Sequence, residues 1–123
     1  HIELISSKSK LEEFRARIHA LVGDAKSEIL EFKDLTINLK TYEATAGKQL
    51  LDLTFMEYEL LRFFVENQNN VWSREQLLSE VWGYDYFGGA RTVDVHVRRL
   101  RAKLGDSRKD WIKTVHSVGY KFN

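Results

Sequence analysis

Apolar residues recur along this chain in three successive patterns. From Lys10 to Val22, Leu11, Phe14, Ile18 and Leu21 fall at helical spacing, and Gly23 stands where such a helix would stop. A polar stretch, Gly23 to Ser27, reads as a linker. From Ile29 the runs shorten and are broken by turn residues. Ile29–Phe32, Leu35–Leu39, Tyr42–Ala46 and Gln49–Leu51 each read as a strand, with Lys33–Asp34 and Gly47–Lys48 as tight connections. The expectation is a four-stranded antiparallel meander.

Helical spacing returns at Thr54. Thr54-Phe55-Met56-Glu57 has the form of a capping box, in which the hydroxyl accepts from a free amide of the first turn and the glutamate reaches back. The apolar face runs through Leu60, Leu61, Phe64 and Val65, and Asn67–Asn70 ends the helix. Ser73-Arg74-Glu75-Gln76 repeats the box and opens a helix through Leu77, Leu78 and Val81 to Trp82. A loop rich in glycine and aromatics follows, Gly83 to Gly89. A third helix spans Arg91 to Leu104, with Gly105 as a left-handed terminator. Trp111–His116 and Val118–Phe122 close the chain as a hairpin. The predicted class is α+β: a winged helix-turn-helix with an N-terminal four-stranded antiparallel sheet, a three-helix core and a C-terminal β-hairpin wing.

The third helix has a legible orientation. At about 100° per residue, Val93, Val97, Leu100 and Leu104 share one narrow stripe, the core face. Arg91, Val95, Arg98, Arg99 and Ala102 fall opposite, with Thr92 at the margin, Arg101 and Asp94 on one flank, and His96 and Lys103 on the other. An exposed face of three arginines and one small aliphatic group suits a duplex: arginine binds guanine or a phosphate, and the aliphatic group meets a thymine methyl.

Composition bounds these readings. The 123 residues suffice for one domain with a core, plus an appendage, and 43% hydrophobic with 30% charged residues is ordinary for a globular protein. Cysteine is absent, so disulfides and thiolate metal sites are excluded. No apolar run approaches the roughly 20 residues that span a bilayer. His1 is not an initiator residue, which points to a piece of a longer chain. Net charge is only +1, yet Arg91, Arg98, Arg99, Arg101 and Lys103 lie together against a single acid, Asp94. Such a stripe is an electrostatic footprint for a polyanion. In the hairpin, Lys113, Thr114, His116, Ser117 and Lys121 suit a wing along a sugar-phosphate backbone. Tyr84, Tyr86 and Phe87 are expected to pack on the domain; exposure of one or two of them for a protein partner is the other reading.

The segments RTVDVHVRRLRAKLG (Arg91 to Gly105), LTFMEYELLRFF (Leu53 to Phe64), SREQLLSEVWG (Ser73 to Gly83) and the terminal IKTVHSVGYKF together resemble the effector domain of OmpR/PhoB-type response regulators. The resemblance covers about residues 29–123. It implies a transcription regulator of a two-component phosphorelay that binds tandem direct repeats as a homodimer. The implied DNA contacts are Arg91, Thr92, Val95, His96, Arg98, Arg99 and Arg101 in the helix and Thr114 in the wing; the residue pattern itself adds Lys103, His116 and Ser117. The resemblance further implies that the loop holding Tyr84, Asp85, Tyr86 and Phe87 engages RNA polymerase. Many relatives read Thr-Val-Arg-Gly where this chain has Thr114-Val115-His116-Ser117, so the usual minor-groove arginine is a histidine here. Residues 1–28 are similar to the tail of a receiver domain, with a last strand (Ile2 to Ile5) and a final helix (Leu11 to Val22), although Lys8-Ser9 replaces the usual Lys-Pro. An amphipathic helix without receiver origin is the other reading of that segment. The phosphate-accepting aspartate is not in this chain, so a sensor histidine kinase would act on the missing receiver. A cytoplasmic, bacterial-type setting without membrane contact is implied.

Two other functions are weighed against DNA binding. A protein–protein interaction module would use the sheet or the loop 83–90, and salt-insensitive or absent DNA binding would favour it. An enzyme is disfavoured, because His1, His19, His96 and His116 are scattered with no metal-ligand spacing and no nucleophile elbow. No cofactor is expected.

Overall fold

A computed structural model describes residues 28–123 of the chain. The expectations for a receiver strand, helix and linker in residues 1–27 lie outside the described residues.

Four short strands come first: β1 (Ile29–Phe32), β2 (Leu35–Asn38), β3 (Glu43–Ala46) and β4 (Gln49–Leu50), all antiparallel and in sequence order across the sheet. Period-two alternation works as expected in β2 and β3. Leu35, Ile37, Ala44 and Ala46 are buried, and the register sets Leu35 against Ala46 and Ile37 against Ala44. A large side chain thus always faces a small one, leaving room for the helix beneath.

That helix is α1 (Phe55–Glu66), and both halves of its capping box are formed. The Glu57 amide donates to Thr54 Oγ1 at 3.2 Å, and the Thr54 amide donates to Glu57 Oε1 at 3.0 Å. Beyond the expected face, Glu57, Tyr58, Glu59 and Phe63 are buried as well. The reason is position: α1 packs against β1 on one side and against the later helices and the last strand on others. A helix covered on several sides needs more than one apolar stripe.

After α1 the chain forms a strand that periodicity did not predict, β5 (Val71–Trp72). Two residues are too few to show alternation. The second capping box then opens α2 (Arg74–Leu77), with the Gln76 amide donating to Ser73 Oγ at 3.0 Å and the Ser73 amide to Gln76 Oε1 at 2.8 Å. The helix widens to a π-helical turn over Leu78–Trp82, closed by the Gly83 amide on the Leu78 carbonyl at 2.9 Å.

The third helix, α3 (Arg91–Leu104), has the predicted bounds. Its terminator differs in detail: Gly105 has φ 93° and ψ 170°, positive in φ but not the left-handed helical conformation. Trp111 closes a short 3-10 turn (Lys109–Trp111) instead of starting a strand. The hairpin is β6 (Ile112–Val115) and β7 (Gly119–Phe122), and β5 pairs with β7 to give the order β5-β7-β6. The wing therefore grows from a three-stranded sheet with β7 at its centre. Gly119 makes this pairing feasible, because a Cβ there would lie 2.0 Å from the Trp72 carbonyl oxygen.

One aromatic cluster joins the two sheets. The Phe32 ring lies 5.1 Å from Trp111 and 4.7 Å from Phe122, and Phe64 stacks on Phe122 at 6.0 Å. Beside it Arg108 grips Asp34 through two bonds, at 2.6 and 3.1 Å. That hydrogen-bonded guanidinium holds the Asp34 carboxyl below its ordinary range.

Candidate nucleic-acid interface

α3 begins without a side-chain cap at Ala90, so its placement depends on packing. Val93, Val97, Leu100 and Leu104 are all buried, as the stripe required. On the far side Arg91, Arg98, Arg99 and Ala102 are exposed and Val95 is half-buried. The three arginines and the small apolar positions thus form one outward face.

The flanks are engaged within the protein. Thr92 Oγ1 lies 3.3 Å from the Tyr86 hydroxyl. His96 Nδ1 is 2.9 Å from the Thr92 carbonyl, which only accepts, so Nδ1 carries the proton. Its ring meets Trp82 edge-on at 5.0 Å. Arg101 turns toward the wing, donating to the Ile112 carbonyl at 3.1 and 2.7 Å and to Thr114 Oγ1 at 2.9 Å. The helix and β6 are thereby joined through two of the anticipated contact residues.

Lys103 has a partner that the sequence did not suggest. Its ammonium lies 2.6 Å from Glu57 Oε1, turned to α1 and not held out as a free cation. Burial raises the Glu57 pKa, but the Lys103 hydrogen bond and the Thr54 amide more than offset it, and the carboxyl stays below its ordinary range.

In the wing, Thr114, His116 and Ser117 are exposed. Ser117 adopts φ 66°, a left-handed conformation that costs a side-chain-bearing residue energy. The family pattern that the chain resembles implies glycine at this position, and serine in its place carries the backbone strain. Val118, beside it, is exposed at the hairpin tip.

A cleft separates the wing from the helices, lined by Arg74, Asp94, Thr114, His116, Ser117 and Tyr120 among others. Arg74 and Tyr120 were not among the residues anticipated from sequence. Asp94 holds both: Oδ2 accepts from Arg74 Nη1 at 2.8 Å and Oδ1 from the Tyr120 hydroxyl at 2.7 Å. Burial and that hydrogen bond push the Tyr120 pKa up to about 12. No local signal exposes this trio, because its members lie 20 and 26 residues apart. A second concavity is lined by Arg101, Lys109, Asp110, Ile112, Lys113 and Thr114.

The aromatic loop is more open than expected. Tyr86 leans toward Trp82 at 6.3 Å, but Tyr84 is 70% and Phe87 97% exposed, with Asp85 exposed between them. A Cβ at Gly88 would overlap the Tyr86 ring, so glycine there leaves Tyr86 room to fold back over the loop. Among the described residues no group of three His, Cys, Asp or Glu could hold a metal, and no helix is long and apolar enough to cross a membrane.

The family described as "Transcriptional regulatory protein, C terminal" matches residues 47–122. A transcriptional regulatory protein of Bacillus subtilis, YclJ, is 42% identical over 117 residues, covering 94% of this chain and 50% of the relative. SrrA of Staphylococcus aureus is 46% identical over 98 residues, covering 77% of this chain and 41% of the relative. The chain thus spans half or less of these relatives' length. Among solved structures, the response regulator DrrB, an OmpR/PhoB homologue of Thermotoga maritima, aligns with TM-score 0.73 and 31% identity over 91% of this chain and 52% of its own. The DNA-binding domain of Klebsiella pneumoniae RstA, in complex with its RstA box, aligns with TM-score 0.68 and 31% identity over 77% of this chain and 96% of its own.

Proposed function

The chain belongs to the OmpR/PhoB-type family of transcriptional regulatory protein C-terminal domains, winged-helix DNA-binding output modules, and from that premise we propose that α3 reads the major groove of duplex DNA. The observation that carries this is the pairing of a fully buried stripe (Val93, Val97, Leu100, Leu104) with an opposite face of exposed Arg91, Arg98 and Arg99 and half-buried Val95. At about 1.5 Å per residue, 14 residues give a rod of roughly 21 Å, and its diameter of about 10–12 Å suits a groove about 12 Å wide. Arg98 and Arg99 face base edges, Arg91 a phosphate, and Val95 a thymine methyl. Thr92 and His96 sit at the rim. Arg101 and Thr114, already bonded to each other, approach the backbone together, and His116 and Ser117 lie over the adjoining minor groove.

Selection of bound duplexes from random DNA, followed by salt-controlled titration, tests the reading. Arg99→Ala is expected to weaken the selected duplex by roughly 1–3 kcal/mol and to relax one base preference. Unchanged affinity and preference would overturn the assignment of the reading face. A repeat spacing of about 10–11 bp would place two recognition helices on one side of the duplex, as a homodimer on tandem repeats requires.

The exposure of Phe87 and Tyr84 favours a second role for the loop 83–90, contact with RNA polymerase. For the parent protein, residues 1–28 are read as the end of a receiver domain and 29–123 as the output domain. Phosphotransfer from a sensor histidine kinase to that receiver would govern DNA binding in the cytoplasm. The family consists of DNA-binding regulators, not enzymes.

A further inference from the structure

Asp94 is the one acid between Arg91 and Lys103, on a helix whose outward face is cationic. A carboxylate there opposes phosphate binding by simple repulsion, so its local effect runs against the proposed task of the helix. Its contacts suggest what it does instead. It ties α3 to the first residue of α2 through Arg74, at 2.8 Å, and to β7 through Tyr120, at 2.7 Å. The Arg74 and Asp94 side chains are 48% and 36% exposed, so the pair sits at the surface of the cleft that also holds Thr114, His116 and Ser117. Glu75 lines the same cleft, but the Arg74 guanidinium is bonded to Asp94, and a guanidinium so placed can exchange that carboxylate for a phosphate. From Tyr120 the contacts continue to the wing. The Arg101 guanidinium carbon lies 5.7 Å from the Tyr120 ring centre, and Arg101 donates to Thr114.

On the premise of DNA binding argued above, we propose that Asp94 is a positioning residue that sets sequence discrimination: it keeps Arg74 from acting as a free phosphate ligand and, through Tyr120, holds the wing in register with α3. Sequence-independent affinity comes almost wholly from cations that neutralise phosphates. Holding Arg74 in an internal ion pair removes one such cation from every site, right or wrong. Discrimination depends on groove contacts made in fixed register, and the Tyr120 bond supplies part of that rigidity. The first effect lowers binding to every duplex alike, and the second preserves the groove contacts made at the right site, so discrimination rests on the Tyr120 tie.

Asp94→Asn is close in shape, keeps an oxygen that accepts from Tyr120, and removes the charge. The selected duplex and a random duplex are titrated across a salt series for the wild type, Asp94→Asn, Asp94→Asn with Arg74→Gln, and Tyr120→Phe, with thermal melts to verify folding. Asp94→Asn, which keeps the Tyr120 bond, should bind both duplexes several-fold tighter at low salt, with a salt slope steeper by about 1 and an unchanged ratio of selected to random affinity. Adding Arg74→Gln should return the slope to that of the wild type. Tyr120→Phe should weaken the selected duplex and leave the random one unchanged. A folded Asp94→Asn protein with the wild-type slope overturns the proposal, as do a steeper slope that Arg74→Gln does not reverse and a folded Tyr120→Phe protein with the wild-type ratio. A wild type that binds no duplex overturns the DNA-binding premise instead, so the two failures are distinguishable.

Discussion

Replacing Lys103 by alanine separates two roles that a basic stripe leaves confounded. The Lys103 ammonium sits 2.6 Å from Glu57, whose side chain is 1% exposed. Truncation leaves that carboxylate its bond from the Thr54 amide but takes away its counter-charge. Breaking a fully buried pair from one side costs about 3–5 kcal/mol. The Lys103 side chain is 34% exposed, and water admitted at that edge offsets part of the loss, so roughly 1–3 kcal/mol is expected. In a domain of this size that lowers the melting point by roughly 4–20 °C. The pH dependence has a definite sign. In the wild type Glu57 titrates below its ordinary range. Its stabilisation is therefore complete above the unfolded carboxylate pKa of about 4.3 and is lost as pH falls through the lower folded value. Without the ammonium, burial dominates and raises the Glu57 pKa. The variant then regains relative stability as its carboxyl protonates, so its deficit should be largest near pH 7 and shrink toward about pH 4. Calorimetric melts across that interval measure the deficit, and duplex titration below both melting points measures the salt slope, which should not change. A melting point within about 2 °C of wild type at neutral pH, together with a salt slope shallower by about 1, would refute the reasoning and make Lys103 a phosphate ligand.

Ser117→Gly should stabilise the domain by roughly 0.5–1 kcal/mol, because relief of the left-handed strain at φ 66° exceeds the added flexibility of the unfolded chain; thermal melting checks this. Gly119→Ala should destabilise by more than about 2 kcal/mol, since its Cβ would meet the Trp72 carbonyl oxygen at 2.0 Å and drive β7 from β5; urea titration would show it, with loss of amide protection at Trp72 and Tyr120. Phe87→Ser removes a ring that is 97% exposed. It should shift stability by no more than about 0.5 kcal/mol and leave duplex affinity intact, and reduced transcription in a reconstituted polymerase assay would mark the loop as a partner surface.

Local rules served best where neighbours in sequence are also neighbours in space. Both capping boxes formed, because each needs only four consecutive residues. The meander followed alternation through Leu35, Ile37, Ala44 and Ala46, and the stripe of Val93, Val97, Leu100 and Leu104 oriented α3 without reference to any relative. β5 escaped notice because two residues carry no period, and it exists only where β7 offers an edge. The π-helical turn at Leu78–Trp82 and the burial of Glu57 had no local signal either.

By itself, then, the sequence determined which helix faces outward with Arg91, Arg98 and Arg99, because helical geometry repeats every few residues whatever surrounds it. Only the tertiary structure decided which of the basic residues remain available. Lys103 is drawn to Glu57 across 46 positions, Arg101 to the wing across 13, and Arg74 to Asp94 across 20. The physical reason is that charge pairing acts through space at a few ångströms. Those distances come into being only when packing of the apolar stripes has brought α1, α3 and the wing together.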